Sequence, residues 1–286
     1  VTRIEVGLLE AGRSWQRERL ARRGGSWRWI PFPATVAVLR HPDGVVLVDT
    51  GHAPRFFEAT ARFPERLYRV IVPADLASGE AAVDQLAAAG VAASDVTTVL
   101  LTHLHGDHLG GLRDFPAARI VHSGAVDLHG TVPGRRAPAA HRREASNHGF
   151  LPALLPDDLA ARSVPAERFA QVGTGLPGVK SGWDVAGDGS IVAVDLPGHG
   201  PGHLGVWVPA TQGPPVLLVG DACWSRAALT GDLPPAPVLR MMADVAAYRA
   251  TIAALAALAK ARPEILIVPA HCAASVATAR AALAGR

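Results

Sequence analysis

Short apolar runs alternate along the chain with polar, glycine-rich breaks, and the breaks fall where the runs stop. Ala34–Leu39 and Val45–Val48 are β-branched runs separated by His41-Pro42-Asp43-Gly44, a turn signal, so together they predict a hairpin. Gly79–Ala89 is alanine-rich and closes on Gly90, a residue favoured just past a helix end, which predicts a helix. Val96–Leu101 and Ala118–Val121 read as strands, as do Ser190–Leu196, Leu204–Pro209, Val216–Val219 and Glu264–Val268 further on. Met242–Ala259 is the clearest helical stretch, and Ala273–Ala284 predicts a terminal helix. Strands alternating with helices in two halves give an α/β fold.

Between about residues 123 and 187 this pattern weakens. Pro, Gly, Arg and His are scattered among short helical pieces such as Pro156–Arg162, and the stretch reads as a helical insertion over the core. With Trp27–Phe32 it is expected to shape a substrate pocket. At 286 residues the chain suits one large domain over 1–286 better than two.

Composition adds limits rather than a function. Apolar residues make up 49% and charged residues 19%, a globular balance. A formal charge of +3 is too weak to imply a nucleic-acid partner. The densest basic stretch, Arg13 to Arg23, has Glu18 inside it and reads as a solvated loop or helix face. No apolar run reaches membrane-spanning length and the first residues lack a signal pattern, so the expectation is a soluble, cytoplasmic protein without a membrane partner. Two cysteines, Cys223 and Cys272, cannot build a cysteine zinc cage and read as small buried side chains.

The histidines change the picture. Thr102-His103-Leu104-His105-Gly106-Asp107-His108 puts three of the chain's twelve histidines and a carboxylate directly after an apolar strand. Imidazole nitrogen and carboxylate oxygen suit Zn²⁺, Fe²⁺ or Mn²⁺ without any thiolate. His103 and His105 can project to one side, while Asp107 and His108, past the turn at Gly106, can address a second metal. Four ligands do not complete two sites, and three further strand ends offer more: Pro197-Gly198-His199-Gly200-Pro201-Gly202-His203, Gly220-Asp221 and Ala270-His271.

The run THLHGDHLGG, then PGHGPGHLG, GDA and PAH, in that order, resembles the metallo-β-lactamase superfamily, and VVLVDTGH at Val45–His52 looks like its early strand. The likeness runs from about Ala34 to His271, and the arrangement is most similar to N-acyl-homoserine-lactone lactonases. It implies a four-layered αββα fold and two divalent metal ions, zinc first, with iron, manganese or cobalt as alternatives. By the same resemblance His103, His105 and His199 hold one ion, Asp107, His108 and His271 hold the other, and Asp221 bridges them together with a hydroxide. His199 is chosen over His203 because the first histidine of its segment aligns with the family's ligand. His203 is expected as a packed residue, and Asp49 is expected to orient a ligand or loop from behind.

A metal lowers the pKa of bound water from 15.7 towards about 7, so the expected chemistry is a hydroxide attacking a carbonyl or phosphoryl centre. Asp107 is the candidate to pass the proton to the leaving alkoxide. Trp224 stands where the lactonases place a tyrosine; it is a candidate catalytic donor with one N–H, and equally a pocket wall. The expected function is a dinuclear hydrolase opening a lactone or cleaving a related carboxylic ester, on a partly hydrophobic small molecule. Phosphotriester or thioester hydrolysis and a mononuclear-iron sulfur dioxygenase are the alternatives, and a homodimer is left open.

Overall fold

The structure, a computed structural model, describes residues 1–126 and 149–284. The apolar runs build two sheets. Strands β1 (Glu5–Arg17), β2 (Trp29–His41), β3 (Gly44–Val48), β4 (Ala74–Asp75), β5 (Val96–Leu100), β6 (Arg119–His122) and β7 (Ser163–Pro165) form the first, in the order β4-β1-β2-β3-β5-β6-β7. Strands β8 (Gln171–Leu176), β9 (Val179–Asp184), β10 (Val192–Asp195), β11 (Leu204–Val208), β12 (Val216–Gly220) and β13 (Leu266–Pro269) form the second, in the order β13-β12-β11-β10-β9-β8.

Side chains on a strand point alternately to its two faces, and here both faces are buried. Val46 and Val48 of β3 enter the core between the sheets, while Val45 and Leu47 face outward. Val216 and Leu218 of β12 meet them from the second sheet; Leu217 and Val219 face the other way. Each outward face is then covered. Phe56, Leu86, Leu109 and Leu112 close over the first sheet. Tyr248, Ile252, Leu255 and Leu258 of the Val245–Ala261 helix close over the second. The result is the expected αββα layering.

The predicted hairpin pairs Ala37 with Val48 and His41 with Gly44, although β2 begins earlier, at Trp29. Helix limits move by a few residues, the 79–89 expectation becoming Ala82–Ala88. Two differences are larger. The first sheet contains β1, whose polar outer positions hid it in the sequence. The expected insertion contains β7 and the β8–β9 hairpin rather than helices alone, while its residues 127–148 lie outside the described residues. Gly173, Gly175 and Gly182 give β8, at the sheet edge, and β9 beside it little apolar signal.

The basic stretch is also not simply solvated. Glu18 is buried, and its carboxylate accepts from Arg22, Ser26 and Arg28. Those bonds, led by Arg28, hold Glu18 well below the usual carboxylate range and tie down the turn between β1 and β2. Among the described residues no helix is long and apolar enough to cross a membrane.

β10, β12 and β13 run in one direction, and β3, β5 and β6 are mutually parallel, so their C-terminal ends define where the polar breaks gather. The break after β10 is pressed against the Val245–Ala261 helix: Asp244 N–H donates to the Gly198 carbonyl at 3.0 Å, and Asp244 caps the helix through Ala247 N–H at 2.9 Å. Gly198 sits at φ 124°, and a Cβ there would lie 2.1 Å from Tyr248 N. Gly198→Ala is therefore expected to lower stability by more than about 2 kcal/mol in chemical denaturation, through both strain and overlap.

Candidate metal centre

Asp49 follows β3 with φ 60°, a conformation rare for a residue with a side chain and found where a site demands it. There its Oδ1 accepts from Thr102 N–H at 2.8 Å, and its Oδ2 accepts from Thr102 Oγ1–H and His108 Nδ1–H, each at 2.8 Å. Because Thr102 Oγ1 gives its hydrogen to Asp49, it must accept from His103 Nδ1, 3.1 Å away. His271 Nδ1 has only the Pro33 carbonyl as partner, at 2.9 Å, and so donates to it. These bonds fix the tautomers of His103, His108 and His271 and leave each Nε2 lone pair facing inward.

The seven residues expected from the sequence come together. Potential ligand atoms of His103, His105, His199 and Asp221 lie within 4.8 Å of one another, and so do those of Asp107, His108 and His271. His105 Nδ1 faces His199 Nε2 at 3.1 Å. Asp221 lies between the groups: its Oδ2 is 3.3 Å from His199 Nε2, while its Oδ1 is 3.1 Å from His271 Nε2 and 3.3 Å from His108 Nε2. His103 Nε2, His108 Nε2 and Asp221 Oδ1 are buried and make no hydrogen bond. Buried lone pairs converging without donors are costly unless a cation meets them. The donor set, five imidazoles and two carboxylates, fits such ions.

Electrostatics agree. Burial pushes the His103 and His199 pKa values well below the ordinary imidazole value. Burial acts the same way on His108 and His271, but is outweighed by Asp49, Asp221 and Asp107 around the first and by Asp221 and Asp107 around the second, so both are raised. Burial opposes the charge on Asp221, yet His271, His108 and His199 hold it well below the usual range.

Residues around the cluster sort by what they touch. His203 is not among the grouped ligands; its Nε2 accepts from Asp221 N–H at 3.0 Å, and burial lowers its pKa to about 4. Trp224 turns its indole N–H onto Asp221 Oδ2 at 3.1 Å, and Phe32 packs edge-on to it while stacking on His271. Of the Trp27–Phe32 segment, Phe32 reaches the centre, whereas Trp27 and Trp29 are exposed beneath Arg19 and Arg17. Cys223 is buried, and burial raises its thiol pKa, so it is no thiolate. Sequence reasoning missed Thr102, the shared partner of Asp49 and His103, and Tyr68, whose hydroxyl lies 3.5 Å from Asp107 Oδ1. The position of Thr102 next to His103 was the one available signal; Tyr68 had none.

Residues 29–271 match the family described as the Metallo-beta-lactamase superfamily. This chain belongs to the metallo-β-lactamase superfamily. As a member it is a metal-dependent hydrolase. It is 32% identical over 248 residues to a probable metallo-hydrolase of Mycobacterium tuberculosis, covering 82% of this chain and 73% of that protein. It is 28% identical over 243 residues to the N-acyl homoserine lactonase AttM of Agrobacterium fabrum, covering 82% and 83%. In fold it resembles an N-acyl homoserine lactone hydrolase solved with N-hexanoyl-L-homoserine at its catalytic metal centre, with a TM-score of 0.72, 18% identity and 97% of each chain covered. A dizinc quorum-quenching lactonase, AidC, gives a TM-score of 0.60 at 17% identity, covering 94% of this chain and 88% of that one.

Two outcomes follow for this superfamily member. Asp49→Asn keeps the size but removes a charged acceptor from His108, and zinc affinity measured by chelator competition is expected to fall about 10- to 100-fold. The carboxylates around His108 and His271 favour their protonation, and a proton on either ring competes with a cation for the same nitrogen. Zinc titrations should therefore show affinity rising with pH, by up to about tenfold per pH unit for each proton displaced.

Proposed function

We propose that the chain hydrolyses lactones or related carboxylic esters with two divalent cations, zinc first, held by His103, His105 and His199 on one side and Asp107, His108 and His271 on the other. The observation that carries this is Asp221, with one oxygen towards each group, from where it would serve as a ligand to both cations. The naming of AttM as a lactonase and of AidC as dizinc supports the same reading.

Cations held so would make water nucleophilic near neutral pH and polarise a carbonyl oxygen. The chain's own residues do the rest. Asp221, anchored by His203 and Trp224 through its N–H and Oδ2, keeps the two ligand groups at a fixed separation. Asp107, with His271 3.6 Å from its Oδ2, is placed to carry a proton to the leaving oxygen. Phe32 and Trp224 form an apolar wall beside His271 and His199, which favours a partly hydrophobic substrate.

Elemental analysis of the purified protein, with a panel of lactones, aryl esters, phosphotriesters and thioesters, tests the proposal. The expected result is about two metal equivalents per chain, as in two-metal hydrolases, with turnover strongest on lactones or carboxylic esters. Faster turnover of phosphotriesters or thioesters overturns the substrate class, and a single iron with oxygen consumption on a persulfide overturns the reaction. His105→Ala and Asp221→Ala should each lose metal, and kcat/KM should drop by about a thousandfold or more because water activation goes with it. Full activity in either variant would remove the assignment.

A further inference from the structure

Breaking the acyl–oxygen bond of a lactone or alkyl ester leaves negative charge on an alkoxide oxygen, and a hydrogen-bond donor there lowers the barrier. Three ring hydrogens at the centre are committed. His103 Nδ1–H goes to Thr102, His108 Nδ1–H to Asp49 and His271 Nδ1–H to the Pro33 carbonyl. Trp224, the aromatic donor expected from the sequence, spends its single N–H on Asp221 Oδ2 at 3.1 Å.

Tyr68 is different. It sits on the Arg66–Ile71 helix, with its ring edge-on to buried Phe56 at 5.6 Å between centroids and 77° between planes. Phe56 is braced in turn by Phe57 and His52, so the ring has a firm seat. The hydroxyl reaches Asp107 Oδ1 at 3.5 Å, the outer limit of a hydrogen bond, so its hydrogen is only loosely engaged. The other tyrosine, Tyr248, is buried behind the second sheet. Among the described residues Tyr68 is thus the phenol beside the cluster, on the side where Asp107 stands.

We propose that Tyr68 is a catalytic residue whose phenol donates a hydrogen bond to the leaving oxygen of the substrate, while Trp224 only positions Asp221. The proposal rests on the lactone or ester reading above. Hydroxide adds to the carbonyl carbon, the acyl C–O bond breaks with its electron pair on the leaving oxygen, and the proton carried in by the hydroxide passes through Asp107 to that oxygen. The products are a carboxylate and an alcohol. Tyr68 keeps its proton throughout and stabilises charge on the oxygen before that transfer completes.

The role predicts a dependence on the leaving group that a structural role lacks. Steady-state kinetics of the zinc-loaded wild type, Tyr68→Phe and Trp224→Phe are compared on a lactone and on a 4-nitrophenyl ester of the same acyl chain length. Nitrophenolate leaves without help. Tyr68→Phe should retain metal and lose about 10- to 100-fold in kcat on the lactone but less than about threefold on the nitrophenyl ester, in the range of a lost donor. Trp224→Phe should lose activity on both substrates alike. An equal loss on both substrates in Tyr68→Phe, or no loss on either, overturns the assignment of Tyr68 while leaving the hydrolase reading intact. A wild type that turns over neither substrate sinks that reading and the role of Tyr68 with it. If Tyr68→Phe misfolds or loses metal, O-methyltyrosine at position 68, which keeps the ring and the oxygen without the hydrogen, decides on the same two substrates. A loss on the lactone alone supports the donor role, and an equal loss on both, or none, overturns it.

Discussion

A carboxylate closed into an apolar sandwich is destabilising unless it finds donors, and Asp49 finds three. Its two oxygens take the backbone N–H of Thr102, the Thr102 hydroxyl and His108 Nδ1–H. From that one carboxylate, order passes to the loop after β5: Thr102 orients His103, and His108 is turned directly. A left-handed backbone at Asp49 is the local strain that makes the geometry reachable. The surrounding layers must be rigid enough to hold it.

Those layers supply the rigidity through alternation. Because β2, β3 and β12 bury both faces, each residue is assigned to one of three packed cores, and a one-residue slip would exchange them all. The loops after β3, β5, β10, β12 and β13 are then delivered to a common place. Cross-links between loops complete the delivery, as when Leu204 N–H donates to the Thr102 carbonyl at 2.8 Å and Ala270 N–H to the Gly220 carbonyl at 3.0 Å. Gly220, at φ 50°, lets the chain turn from β12 into Asp221 at a place where an added Cβ would lie 3.0 Å from Thr102 and His203.

A cluster assembled this way carries opposed charges in a buried space. The carboxylates raise the His108 and His271 pKa values, and the imidazoles hold Asp221 below the usual range. A proton on either ring competes with a cation for the same nitrogen, which couples metal affinity to pH. Phe32, Trp224 and Tyr68 surround the cluster, each touching one of its residues.

Much of the centre was legible in the chain itself. The runs at Val45–Val48, Val96–Leu101 and Val216–Val219 show strands by β-branched content alone, and ligand types crowd the breaks that follow them, so an α/β fold and the candidate segments could be read from local pattern. The αββα layering and the choice of His199 over His203 came from the resemblance to the metallo-β-lactamase superfamily. Strand β1 and the β8–β9 hairpin could not. Polar side chains and glycines erase their periodicity, and pairing with a neighbour is what makes them strands. The direction of the Trp224 N–H, the hub at Thr102 and the approach of Tyr68 to Asp107 were likewise settled only in three dimensions. Residue type and periodicity are properties of neighbouring positions, so they survive in one dimension. A hydrogen bond between residues 39 or 53 positions apart depends on where two separate elements come to rest, and only packing determines that.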